Sequence, residues 1–256
     1  MTEHDRDTEA GLSHRNPRVA ETARLHGIAE RRRRGLTLLE GPHLVEEAVD
    51  AGVGLGEIYA RPGDTAASRW AAQTGVELIL VRGEALKRLS STSTPQSPVA
   101  VMPIPERPLD PNRSVLVAWQ ISDPGNLGTM IRTAAAFGLE VAATAGSADL
   151  WSPKTLRAAA GGHFKTGVAE IADLAEIEAL TVAAVVRGGS PPKSLPVGRL
   201  ALLIGSEANG LPEDVAARAD LRVTIPMMGN VESLNAAAVA AILCFEVGAR
   251  ASENPV

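Results

Sequence analysis

The chain has 256 residues, 45% apolar and only 3% aromatic, with a formal net charge of −5. That length allows one large domain or two of ordinary size. There is no run of about 18 apolar residues and the start, MTEHDRDTEA, is acidic, so neither a membrane span nor a secretory signal is expected.

Cys244 is the only cysteine and lies in an apolar stretch. No intrachain disulfide or cysteine-rich metal site can form, as expected of a cytoplasmic protein. The acidic balance argues weakly against nucleic acid, but the charge is uneven. Gly11 to Gly35 holds seven Arg, among them the run Arg31, Arg32, Arg33 and Arg34, against Glu21 and Glu30. Such a cluster can contact phosphates on an otherwise acidic protein. On charge alone, a solvated helix face explains it more simply.

Residues 1–12 read as a disordered tail. A basic helical pattern runs from Pro17 to Arg34 and LTLLE (Leu36–Glu40) reads as a strand. Gly41-Pro42 opens a helix to about Ala51, with Pro at a tolerated first-turn position. Strands are expected at Gly56–Ala60 and Val76–Val81, with a helix between them. A short helix at Ala85–Leu89, the polar loop SSTSTPQSP and the strand VAVMP complete an α/β unit over 13–104.

Four prolines fall within Pro103–Arg113, which makes 105–113 a stiff linker and the best domain boundary. The remainder, 114–256, alternates apolar strands with helices: SVLVAWQ, then TMIRTAAAFG, EVAATA, SPKTLRAAAGG, TVAAVV, LALLIG, LPEDVAARA, LRVTIP and a final Ala-rich helix. Gly138 marks a helix stop. The pattern implies an α/β fold, a mainly parallel sheet with helices on both faces.

In such sheets ligands sit beyond the carboxyl ends of the strands. Three polar, Gly-containing loops fall there: SDPGNLG with the helix after it (Ser122–Gly138), IGSEANGLP (Ile204–Pro212) and IPMMGNVESLN (Ile225–Asn235). Asp123, Ser206 and Ser233 have ordinary uses as caps. Arg132, Glu207 and Asn235 are harder to assign to turns alone. No G-x-G-x-x-G or P-loop run occurs, and no His-His-carboxylate set has metal spacing, so no metal is expected. His43 and His163 read as incidental. The residues alone lead to a binder of a nucleotide-like ligand.

DPGNLGTMIRTAAAFG, LIGSEANGL and IPMMGNVESLNAAAVAAILCFE resemble, in order and spacing, the three motifs of the SpoU/TrmH family of RNA ribose 2′-O-methyltransferases, in the SPOUT superfamily. LLEGPHLVEEAVDAG and STPQSPVAV resemble the L30e-like substrate-binding domain found in two-domain members. The resemblance implies a deep trefoil knot in the C-terminal domain, S-adenosylmethionine as cofactor, RNA as substrate and a homodimer formed through the catalytic domain. It implies catalytic roles for Asn126, Arg132, Glu207, Ser233 and Asn235. Cofactor contacts would come from Gly205, Ile225, Met227, Gly229 and Leu234, and RNA contacts from the N-terminal domain with Arg31–Arg34.

A guanidinium stays protonated, so Arg132 suits a phosphate grip better than a base, with Asn126 and Glu207 organising it by hydrogen bonds. Ser233 would cap the last helix. Ala159, Ala135 and Ser97 depart from residues common in relatives, which touches the RNA target rather than the reaction. Ribosomal RNA of the 23S type is the expected substrate. Transfer RNA, or a non-catalytic role in ribosome assembly, is the alternative.

Overall fold

The computed structural model describes residues 11–229 and 231–253. The expected tail therefore lies outside the described residues for positions 1–10. At its end the expectation fails. Leu12 donates its N–H to the Leu80 carbonyl at 2.8 Å and accepts from the Arg82 N–H at 3.0 Å, so the chain is already paired to a strand edge.

The chain divides into two compact units, one running through Glu106 and including Trp151–Phe164, the other Arg107–Leu150 with Lys165 onward. In the first, α1 (Pro17–Ala23) is capped by the Asn16 side chain, and α2 (Ile28–Arg34) ends on Gly35 at φ 62°. Then follow β1 (Leu36–Glu40), α3 (Pro42–Asp50), β2 (Glu57–Ala60), α4 (Thr65–Thr74), β3 (Glu77–Leu80), α5 (Gly83–Leu89) and β4 (Val99–Pro103). The sheet order is β1-β4-β2-β3, with β4 antiparallel to both neighbours and β2 parallel to β3.

Alternation along these strands builds two cores. Leu39, Ile58, Ala100 and Met102 pack with Leu44, Val45 and Trp70 from α3 and α4. Leu38, Tyr59, Val99 and Val101 point the other way, to Val19 and Leu86 from α1 and α5. Burial pushes the Tyr59 hydroxyl up to about 12, and it is satisfied by Thr22 and Glu57.

The sequence assigned Trp151–Phe164 to the same unit as the rest of 114–256, but the structure groups it with the first. In this stretch α7 (Pro153–Ala159) is capped by Ser152. Its Leu156 is fully buried in the first of the two cores. Thr37 Oγ1 donates to the Trp151 carbonyl at 2.6 Å. Arg157 pairs with the buried Glu40 at 2.7 Å. The same carboxylate accepts from Ser90 Oγ and from the Ser91 N–H, both at 2.9 Å. A carboxylate that deep needs all of these partners to offset lost hydration.

The second unit holds β5 (Val115–Ala118), α6 (Pro124–Ala136), β6 (Glu140–Thr144), β7 (Val168–Ile171), β8 (Leu180–Ala184), β9 (Leu200–Ile204), α8 (Glu213–Arg218), β10 (Leu221–Val223) and α9 (Ala236–Glu253). The six strands pair in parallel in the order β10-β8-β9-β5-β6-β7. Central strands are buried along their length, which explains their unbroken apolar runs. β7 escaped sequence detection because it is short, at the sheet edge and interrupted by Glu170.

α9 packs on α6 through small residues. Ala240 and Cys244 are fully buried, and a side chain at Gly248 would press on the Phe137 carbonyl. Burial alone pushes the Cys244 thiol up to about 12, so it is a packing residue and not a nucleophile. No helix among the described residues is long and apolar enough to cross a membrane.

Leu156→Ala is expected to lower unfolding free energy by about 2–5 kcal/mol, read by chemical denaturation. An unchanged midpoint would show that this segment does not hold the first unit together.

Candidate active site

All three motif loops leave the carboxyl ends of strands in the second unit. The first is shorter than the sequence suggests. α6 begins at Pro124 rather than at Thr129, because Pro124 presets the first turn and the Asp123 side chain accepts from the Asn126 N–H at 2.9 Å. Asn126 is thus on a rigid helical turn. The backbone entering this turn is also fixed. The Gln120 and Ile121 N–H groups donate to Thr144 Oγ1 and Ser147 Oγ at 3.1 and 3.2 Å.

The second loop folds back on itself after β9. The Gly210 N–H donates to the Ser206 carbonyl at 2.8 Å, and Gly210 has φ 65°. A Cβ on Gly205 would collide with the backbone of Gly210 and Leu211. Gly205 is therefore demanded by the turn itself, whatever else it touches. The third loop runs from Thr224 into α9.

Between the second and third loops lies a cavity of about 310 Å³ at the ends of β8, β9 and β10. Its wall is largely apolar, lined by Ile225, Met227, Leu234, Val185, Val239 and Leu243, with Gly205, Glu207 and Ser233 also lining it. Of the expected cofactor residues, Gly229 is not among the described lining residues. It is exposed, beyond the outward-pointing Met228. Val185, Val186, Val239 and Leu243 line the cavity and escaped the sequence reading, since TVAAVV and the Ala-rich helix carry no polar marker there.

One side chain joins the three loops. Asn126 Nδ2 donates to Glu207 Oε1, and Asn126 Oδ1 accepts from Asn235 Nδ2 at 3.1 Å. Asn235 Oδ1 in turn accepts from the Ala237 and Ala238 N–H groups at 2.9 and 3.3 Å. Asn235, not Ser233, is therefore the cap of α9. The capping oxygen must be Oδ1, so Nδ2 is left to face Asn126. Asn126 must then present its own oxygen to Asn235 and its amide to Glu207.

Arg132 is one turn and a half further along α6, exposed, and forms no ion pair or hydrogen bond with a described residue. The expected bonds from Asn126 and Glu207 to Arg132 are not formed. Asn126 bonds instead to Glu207 through its amide nitrogen and to Asn235 through its amide oxygen.

The arginine run is heterogeneous. Arg31 is 4% exposed, and its guanidinium donates to the Leu25 and His26 carbonyls, both at 2.7 Å. It ties down the preceding turn and is not open to a ligand. Arg33 binds Glu30 through two nitrogens at 3.0 and 2.5 Å, which holds the Glu30 carboxyl below its usual range. Arg34 approaches Glu21 at 3.7 Å. Arg32 and Arg33 are exposed.

Among the described residues no group of His, Cys, Asp and Glu has the geometry to hold a metal.

Residues 113–245 match the model of the SpoU rRNA Methylase family. The chain belongs to this family. Residues 16–100 match the MRM3-like substrate binding domain. The SpoU-family chain is 35% identical to the 23S rRNA (guanosine(2553)-2′-O)-methyltransferase RlmP of Bacillus subtilis (strain 168), over 92% of its own length and 97% of the relative's. Its fold matches the crystal structure of an RNA 2′-O ribose methyltransferase with a TM-score of 0.79 at 28% identity, covering 95% and 99% of the two chains. It also matches an AdoMet-bound rRNA methyltransferase from Sinorhizobium meliloti with a TM-score of 0.81 at 26% identity, covering 92% and 95%.

Asn235→Ala removes a cap from α9 and is expected to cost about 1 kcal/mol in denaturant unfolding. Asn235→Asp keeps a capping oxygen and is expected to lose less. Equal losses in the two variants would show that capping is not what Asn235 contributes.

Proposed function

We propose that this chain transfers a methyl group from S-adenosylmethionine to a ribose 2′-hydroxyl of ribosomal RNA of the 23S type. One observation carries the reading: the Asn126 amide joins Glu207 and Asn235 beside an apolar cavity lined by Ile225, Met227 and Leu234. RlmP, matched over nearly its whole length, is by name a 23S rRNA 2′-O-methyltransferase, which favours ribosomal over transfer RNA.

The cavity suits the methyl donor. Ile225, Leu234 and Val185 would pack on the adenine ring, while peptide groups around Gly205 and Met227 would meet its polar edge. When bound, the donor supplies a methyl carbon already attached to a good leaving group. What remains for the protein is alignment and handling of one proton.

Arg132, exposed and without a described partner, grips a substrate phosphate in a two-pronged contact and so orients the ribose. Ser233, which lines the cavity, holds the third loop against the donor. Arg32, Arg33 and Arg34, with the rest of the N-terminal unit over 13–104, carry the phosphate contacts to more distant RNA. Gly229 would act through the path of its loop.

The C-terminal segment threads a trefoil knot, a rare exception among folds, supported by family membership. The working form is a cytoplasmic homodimer. An apolar stripe on α9, with Phe245 55% and Ile242 37% exposed, is the surface that pairing through the catalytic domain would cover.

Purified protein is to be incubated with methyl-labelled S-adenosylmethionine and with separate pools of unmodified ribosomal and transfer RNA, followed by alkaline hydrolysis. A 2′-O-methyl group blocks cleavage, so label is expected in dinucleotides from ribosomal RNA. Arg132→Lys keeps the charge but loses the fork, and most of the rate is expected to go with it. Label confined to transfer RNA would redirect the substrate assignment. Absence of both transfer and donor binding would overturn the reading.

A further inference from the structure

The reaction releases a proton, and the residue that takes it can be named from the hydrogen bonds around the cavity. This inference rests on the proposed methyl transfer. Glu207 is the one ionisable side chain among the described residues lining the cavity. Arg132 offers only N–H donors and no acceptor lone pair.

The bonding around Glu207 is directional. The capping role of Asn235 fixes its amide, and Asn235 fixes Asn126. Asn126 therefore turns its NH₂ group to Glu207 Oε1. Glu207 Oε2 accepts from no described residue. It also forms no ion pair with Arg132 or any other described cation. One oxygen is thus anchored, and the other has no partner among the described residues of a side chain that lines the cavity.

We propose that Glu207 is the general base, taking the 2′-hydroxyl proton through Oε2. The 2′-oxygen forms its bond to the methyl carbon as the carbon–sulfur bond breaks, with sulfur keeping that electron pair. The hydroxyl proton passes to the Glu207 carboxylate and from there to solvent. The positive charge lost at sulfur is matched by the proton gained at the carboxylate, so the site's charge is conserved through the step. Asn126 and Asn235 are positioning residues in this scheme. They hold the carboxylate's orientation and leave its second oxygen open.

Two variants separate this role from a structural one. Glu207→Gln keeps an oxygen for the Asn126 amide but cannot take a proton. Its affinity for S-adenosylmethionine, read by calorimetry, is expected within about twofold of wild type, while single-turnover methyl transfer falls about 100-fold or more. Glu207→Ala is expected to lose a similar factor and to recover part of it with added formate, in proportion to formate concentration. A Glu207→Gln rate within threefold of wild type, or no recovery of Glu207→Ala with formate, would overturn the assignment while leaving the methyltransferase reading intact. Failure of the wild-type protein to transfer methyl in the same series would overturn both.

Discussion

The site depends on one amide. Asn126 is held on the first turn of α6 by the Asp123 cap, and from there bonds to Glu207 on one side and Asn235 on the other. Three loops that leave three different strands are registered by this residue. A side-chain amide suits the task because its two ends are chemically opposite: a donor for the carboxylate and an acceptor for the neighbouring amide. Neither Asp nor Gln would do both at that distance. Because Asn235 is fixed by the α9 N–H groups, the polarity of the whole chain of bonds is set by a helix terminus.

That arrangement explains how a mostly apolar cavity and a polar hydrogen-bonded cluster share a few residues. The packing demands are met by groups with no chemistry. Gly205 lets the second loop turn back, Cys244 and Ala240 let α9 lie close, and Ile225 and Leu234 face the cavity. Arg132 and Glu207, the groups proposed to meet the substrate, are exposed. An enzyme acting on RNA cannot bury its active site as one acting on a small molecule can, so orientation has to come from hydrogen bonds within the loops rather than from enclosure.

Much of this was legible in the sequence. Polar, Gly-containing loops after apolar strands betrayed the site because backbone turns and ligand chemistry both need such residues there. Asp123, Gly138 and the alternating strands were read for the same local reasons. What was not legible depended on tertiary contacts. Arg31 looks like its three neighbours until its guanidinium is seen capping the Leu25 and His26 carbonyls. Val185 and Val186 carry no chemical signal, and only the parallel pairing of β8 with β9 and β10 brings them to the cavity.

The choice between Ser233 and Asn235 as cap was also beyond sequence, since either side chain is competent and the start of α9 decides. The grouping of Trp151–Phe164 with the first unit shows the same limit. Its helical pattern was clear, but that Leu156 completes a core shared with Trp70 and Met102 is a long-range fact. So is the use of Glu40 to hold Arg157 and the Ser90–Ser91 turn at once.

The most direct test of the account is calorimetric titration of S-adenosylmethionine into wild-type protein and Asn126→Ala. Asn126 does not line the cavity, so a bystander would leave affinity unchanged. If it registers the loops that do, binding is expected to weaken by about tenfold, the equivalent of about 1.4 kcal/mol. Equal affinities in the two proteins would contradict the claim that this single amide organises the site.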